Sequence, residues 1–344
     1  MERVLDGLTQ TATDRDVRTD ITHNDQSVAE TDTVSMGDVL RHQAIIRADQ
    51  RVYTFLHDGE SISDHLTFAE MDLKVRAIAA HIQSYAQPGD RILMLYPPGL
   101  EYLCAFMACL YADVVAIPAY PPRNKRHVPR FQSILSDSRA ALILTTTEII
   151  ESMEKLFMQV PEMAGLRWLT TDDVATSLSS QWQDPHVTAD RLAFLQYTSG
   201  STSAPKGVML TQGNLVQNQK LIQTACEHTS HTDYVSWLPL FHDMGLGNAL
   251  QTIYIGSHCV LMPPVSFVQK PIRWLKAISD YKAHTSGGPN FGYEFCLKKI
   301  DREACEGLDL SHWQVAFNGA EPVRHGTLQA FNEKFSPFGF DAHA

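Results

Sequence analysis

Between Arg91 and Tyr120 the chain reads RILMLYPPGLEYLCAFMACLYADVVAIPAY. A Pro88-Gly89-Asp90 turn precedes a short apolar run, Arg91–Tyr96, which reads as a strand. Glu101–Ala112 then has helical length, and Val114–Ile117 reads as a second strand. Strand, helix and strand in succession make a βαβ unit, and such units build parallel sheets covered by helices. The stretch Tyr102–Tyr120 is almost wholly apolar and approaches the ~20 residues of a bilayer span. Asp113 interrupts it, Pro118 ends it, and its second half is β-forming. It therefore divides into a buried helix and a buried strand, and no transmembrane segment is expected.

The same alternation continues toward the C-terminus. Pro129–Ser138 reads as a helix, Ala141–Thr145 as a strand, Glu148–Met158 as a helix and Leu192–Tyr197 as a strand. Val208–Leu210 precedes a helix at Gly213–His228, and Tyr234–Leu238 precedes one at Gly245–Ile255. Cys259–Met262 precedes a single helix, Phe267–Lys282. Asn290–Arg302 is a helix, Val315–Phe317 a strand and Thr327–Phe335 a helix. No internal repeat and no low-complexity segment is apparent. The polar stretch Thr170–Asp190 marks a seam between two α/β subdomains, 35–185 and 186–344. Residues 1–34 read as a flexible acidic tail. Met1–Asp32 holds eight acids against three arginines, with no apolar core, so it is not a signal peptide. Phe338–Ala344 looks like a loop entering another strand, so the second sheet is expected to be cut rather than finished.

Composition excludes several classes. At 344 residues and 44% hydrophobic, the chain can bury a sizeable core, and disorder throughout, collagen and coiled coil are ruled out. The net charge of −11 repels phosphate backbones and argues against nucleic acid as a partner. Six cysteines without a C-x-x-C pair suit a reducing compartment, and the expected location is cytoplasmic.

The most informative run is Tyr197-Thr198-Ser199-Gly200-Ser201-Thr202-Ser203-Ala204-Pro205-Lys206-Gly207, directly after an apolar strand. Its hydroxyls, glycines and lysine supply many donors around one small volume. A loop of this kind wraps polyphosphate oxygens, with Lys206 as a point charge. A surface Ser/Gly turn has the same composition. A Walker loop counted from Gly200 requires Gly at 205 and Ser or Thr at 207, where this chain has Pro205 and Gly207. No G-x-S-x-G elbow occurs, which disfavours a serine hydrolase of that type. Gly245-Leu246-Gly247 lacks the third glycine of a dinucleotide fingerprint. Glu227-His228-Thr229-Ser230-His231 is a His-x-x-His without further ligands at matching positions, so no metal site is expected.

At the 197–207 loop the chain resembles the phosphate-binding core motif of adenylate-forming enzymes, the superfamily of acyl-CoA synthetases, peptide-synthetase adenylation domains and luciferases. Ser203-Ala204, where most members carry a glycine first, resembles the fatty acyl-AMP ligase branch. Three further stretches match that branch in order: Ser236-Trp237-Leu238-Pro239-Leu240-Phe241-His242-Asp243-Met244-Gly245-Leu246, Ser286-Gly287-Gly288-Pro289-Asn290-Phe291-Gly292-Tyr293-Glu294, and Phe317-Asn318-Gly319-Ala320-Glu321-Pro322-Val323. The resemblance runs from about Ser35 to the last residue. It implies the α/β fold of the large N-terminal domain of these enzymes, with alternating βα units and parallel sheets.

The resemblance also implies roles. Thr198, Ser199, Gly200, Ser201, Thr202, Lys206 and Gly207 would hold the phosphates of ATP, and Asn318, Gly319, Ala320, Glu321 and Pro322 the adenine. His242, Asp243, Met244, Gly245, Gly288, Pro289, Asn290 and Phe291 would line the acyl site. Lys206, His242 and Thr198 would be catalytic, with His242 a neutral donor near the adenylate phosphate and the acyl carboxylate. From the residues alone, Gly287-Gly288-Pro289 reads as a turn before a helix capped by Asn290 and, compatibly, as backbone bared for a flat alkyl chain. Asn318-Gly319-Ala320 is either a β-turn or a slot for a purine. Trp237, Phe241, Phe291 and Phe295 read as core.

The implied reaction joins a medium- or long-chain fatty acid to AMP, using ATP and Mg²⁺, for delivery to an acyl carrier protein. The family's Mg²⁺-binding glutamate, ribose-binding aspartate and lid lysine would follow Ala344, so this chain is expected to be about the first half of such an enzyme and not competent alone. A non-catalytic binding or docking module and a CoA-dependent fatty acyl synthetase are the alternatives.

Overall fold

The structure, a computed structural model, describes residues 34–122, 128–157, 165–198 and 206–344. The N-terminal stretch read as an acidic tail lies outside them up to residue 33. The chain opens with α1 (Met36–Ile46), the hairpin β1 (Arg51–Leu56) and β2 (Ile62–Thr67), and α2 (Phe68–Gln83). The βα alternation follows: β3 (Arg91–Leu95), α3 (Leu100–Tyr111), β4 (Val115–Ala119), α4 (Val128–Ser138), β5 (Leu142–Thr145), α5 (Thr147–Phe157) and β6 (Arg167–Thr170). A second hairpin, β7 (Leu192–Thr198) and β8 (Lys206–Thr211), leads into α6 (Gln212–Ala225). Next come β9 (Tyr234–Ser236), α7 (Asp243–Ile255), β10 (Cys259–Leu261), α8 (Pro264–Gln269) and α9 (Ile272–Asp280). The chain closes with β11 (Thr285–Gly288), α10 (Asn290–Lys299), β12 (Val315–Asn318) and α11 (His325–Phe335).

These strands form two six-stranded sheets, ordered β6-β5-β3-β4-β7-β8 and β12-β11-β9-β10-β1-β2. In each, five strands run parallel and the sixth, the second arm of a hairpin, is antiparallel at the edge. The α/β architecture with parallel sheets is the one expected. Alternation along β3 shows why both faces are apolar: Ile92 and Met94 join one core, Leu93 and Leu95 another. The first core draws residues from both sheets and from α1, α2, α3 and α7, which form a shared helical layer between them. The outer faces carry separate cores. In α3, Leu100 and Tyr102–Tyr111 are buried, as befits a helix in that shared layer. Among the described residues no helix is long and apolar enough to cross a membrane.

The topology adds three details to the sequence reading. The division at 185/186 does not follow the sheets, because β1 and β2 pair into the later sheet and β7 and β8 into the earlier one. The predicted helix Phe267–Lys282 is two helices. Pro271, which has no N–H to continue a helix, stands between them. The segments 36–83 and 167–170, unassigned from the sequence, hold α1, β1, β2, α2 and β6. A likeness of topology also links the two halves. Each hairpin runs into a helix opened by a threonine capping box, Thr67 with Glu70 before α2 and Thr211 with Asn214 before α6.

Candidate active site

The strands β9, β11 and β12 are parallel neighbours in one sheet, with Thr285 opposite Tyr234 and Gly288 opposite Asn318. Their carboxyl ends therefore share one edge, where open α/β sheets bind ligands. Three of the four motifs begin there. The 236–246 segment leaves β9, the 286–294 segment includes the end of β11, and the 317–323 segment leaves β12.

The first of these builds a helix start. His242 is the N-cap of α7, with extended backbone and an exposed side chain that makes no cap bond. Its ring lies 4.9 Å from that of Phe241, and its N–H donates to the Pro239 carbonyl at 3.1 Å. Asp243, also exposed, accepts the Met244 N–H at 2.7 Å. The helix dipole makes such a start favourable for negative charge, and the Asp243 carboxylate already sits there. Gly245 is buried beneath, and a Cβ there would meet the Pro239 carbonyl oxygen at 2.3 Å. Met244 reaches over to the third motif, its Cε 3.3 Å from where a Cβ of Gly319 would stand.

The glycines of the second segment serve protein packing. A Cβ on Gly288 or Gly292 would meet Trp237 Cζ2, at 2.7 and 2.8 Å, and one on Gly287 the Phe317 carbonyl oxygen at 2.1 Å. The indole of Trp237, stacked on Phe267 at 4.0 Å, lies over Gly288. Trp237 is buried, as its core reading required. Phe291, read as core, is 46% exposed and meets Trp237 edge-on at 5.8 Å.

Asn290 is not the helix cap. Pro289 holds the cap position, and Asn290, the first helical residue, is buried and faces the third motif. Its Oδ1 accepts the Arg324 N–H at 3.0 Å and Asn318 Nδ2 at 3.5 Å. Its Nδ2 donates to Glu294 Oε1 at 3.1 Å. Glu321 accepts the Phe291 N–H at 2.6 Å, which satisfies one free donor at the start of α10. Asn318 Oδ1 is buried and has no hydrogen-bond partner among the described residues. Ala320 has left-handed backbone (φ 66), a conformation uncommon for residues with a Cβ, and it is exposed with Glu321 and Pro322. Glu294, Arg324 and Thr327 were not singled out from the sequence. The signal was the i, i+4 pair Asn290 and Glu294 on one helix face.

Ser199, Gly200, Ser201 and Thr202 lie outside the described residues. The strands on either side of residues 199–205 are a paired hairpin, with Thr198 opposite Lys206 and Tyr197 opposite Gly207. Lys206 is exposed. Gly207 gives room to the Tyr197 ring, 3.1 Å from where a Cβ would stand, and the Tyr197 hydroxyl donates to Asp137 at 2.6 Å. Burial and that carboxylate push the tyrosine's pKa up. Gln196 ties the hairpin to the second motif, donating to the Phe241 carbonyl at 3.1 Å. No three His, Cys, Asp or Glu side chains gather into a metal site among the described residues, where all six cysteines are free thiols.

Residues 40–340 match the family model described as AMP-binding enzyme. The chain belongs to that family. It is 45% identical over 311 residues to a medium-chain-fatty-acid–[acyl-carrier-protein] ligase of Moorena producens, covering 88% of this chain and 52% of that protein. It is 37% identical over 310 residues to a long-chain-fatty-acid–AMP ligase of Mycolicibacterium smegmatis, covering 88% of this chain and 49% of that protein. The crystal structure of a fatty acyl-adenylate ligase from L. pneumophila, in complex with acyl adenylate and pyrophosphate, superposes with a TM-score of 0.85 at 40% identity, covering 90% of this chain and 54% of that one. This AMP-binding chain thus spans about half the length of the curated relatives it matches, and within the family its similarity is to the fatty acyl-AMP ligases. Adenylate-forming enzymes use ATP.

Proposed function

We propose that this chain carries the nucleotide and acyl sites of a fatty acyl-AMP ligase. The protein joins a medium- or long-chain fatty acid to AMP, releases pyrophosphate, and passes the acyl group to an acyl carrier protein. The observation that carries this is the meeting of three motif segments at the carboxyl ends of adjacent parallel strands, tied to the β7–β8 hairpin through Gln196.

A fatty carboxylate is a poor electrophile. One of its oxygens attacks the α-phosphorus of ATP in line, the new O–P bond forms, and the bond to the pyrophosphate oxygen breaks. Charge on the phosphoryl oxygens grows in the transition state, and positioned donors stabilise it. Lys206, at the end of the hairpin, supplies a cation. The start of α7 beside His242 supplies a favourable dipole for the carboxylate and phosphate. Among the described residues no three His, Cys, Asp or Glu side chains gather around one point. A magnesium ion would arrive with the nucleotide, whose phosphates supply ligands.

The test is pyrophosphate release and mass-detected acyl-adenylate by the full-length protein with ATP, Mg²⁺ and a series of carboxylic acids. Fatty acids of medium or long chain should be the best substrates. Amino acids or aryl acids working better would overturn the substrate assignment.

A further inference from the structure

The acyl segment and the nucleotide loop are joined by one small polar knot. Glu294 Oε1 accepts from Asn290 Nδ2 at 3.1 Å, Arg324 Nη1 at 3.1 Å and Thr327 Oγ1 at 3.3 Å, while its Oε2 meets Lys298 at 3.3 Å. These donors come from α10, from the loop after β12 and from α11, so one carboxylate holds three elements. With its side chain held by Glu294, Asn290 presents Oδ1 to Asn318 and to the Arg324 N–H, at the two ends of the 318–324 loop. Between them Glu321 closes back onto the Phe291 N–H. The loop holds a left-handed alanine, a conformation that persists only where surrounding contacts impose it. Glu294 itself lies away from the strand ends, one turn into α10, with its carboxyl held below the usual range by the Lys298 ammonium first and by Arg324.

We propose that Glu294 is a positioning residue that sets the conformation of the 318–324 loop through Asn290 and Arg324, and so sets nucleotide affinity without touching the nucleotide. This rests on the 318–324 loop being the adenine site, as the proposed function has it. A network acting through shared partners loses more than one bond when its centre is removed. The Arg324 contact is exposed and worth little alone. The half-buried bond from Asn290 matters more.

The experiment measures AMP and ATP binding by titration calorimetry, and the KM values for ATP and fatty acid, in full-length Glu294→Ala and Glu294→Gln. Glu294→Ala should weaken nucleotide binding about three- to tenfold, raise the KM for ATP in step, and leave the KM for the fatty acid within about twofold. Glu294→Gln keeps a carbonyl oxygen for Asn290 and Thr327 and should recover most of the affinity. Unchanged nucleotide binding in Glu294→Ala would overturn the proposal. So would an equal loss for both substrates with a large fall in Tm, the mark of a merely structural role. If no fatty acid is adenylated by the unmutated protein, yet Glu294→Ala still weakens nucleotide binding, the substrate assignment falls and the positioning role stands.

Discussion

Gly245→Ala should separate activity from stability. The added methyl would sit 2.3 Å from the Pro239 carbonyl oxygen, 2.8 Å from its carbon and 3.1 Å from the Leu238 oxygen, all of them backbone atoms. Backbone cannot swing aside as a side chain can, so the start of α7 must retreat by about 1 Å to regain ordinary contact. That movement strains the His242 N–H bond to Pro239 and carries His242 away from the strand ends. Overpacking costs about 1–3 kcal/mol, and replacing a helical glycine returns up to about 1 kcal/mol. The net loss is small for a chain of this size, a few degrees in Tm at most. Activity is more exposed, because a misplacement of about 1 Å costs about a hundredfold in rate. Gly247→Ala is the control. It lies on the same helix, a Cβ there meets nothing within 4 Å, and it should be neutral or slightly stabilising with unchanged turnover. The pair is compared by pyrophosphate release and thermal denaturation of the full-length protein. Equal activity in the two variants would refute the argument from close approach.

Other outcomes follow from the same structure. Lys206→Ala should leave the fold intact and lower kcat/KM for ATP by about ten- to a hundredfold, the worth of one charge-assisted phosphate contact of about 1.5–3 kcal/mol; activity within twofold would reject the role. Trp237→Ala removes a fully buried ring and should destabilise by about 3–5 kcal/mol, read from urea midpoints. Burial holds His228 and His258 down at about 4 and lowers His284 as well, from an ordinary 6.5. The unfolded chain then binds more protons between those values, so stability is complete above about pH 6.5 and falls toward pH 4, by at most about 1.4 kcal/mol per pH unit for each histidine. Urea midpoints that stay flat from pH 6.5 to 4.5 would contradict this.

The sequence by itself determined the α/β class, because strand and helix periods are local and Arg91–Ile117 displays both within one βαβ unit. It also determined the motif order, because hydroxyl, glycine and lysine chemistry is readable without coordinates. Strand partnership was not readable. Nothing local in Arg51–Thr67 says that this hairpin pairs with β10, some two hundred residues away, rather than with its neighbour β3. Parallel pairing is set by which apolar faces can be buried together, a property of the whole chain. The meaning of the glycines was likewise tertiary. Gly288 and Gly292 are small because Trp237 lies over them, and only the packed structure reveals what occupies the space a glycine leaves. The role of Asn290 turned on the same point: sequence allows a helix cap there, but its amide is spent on Asn318, Glu294 and the Arg324 backbone, partners that only the folding of β11 against β12 brings within reach.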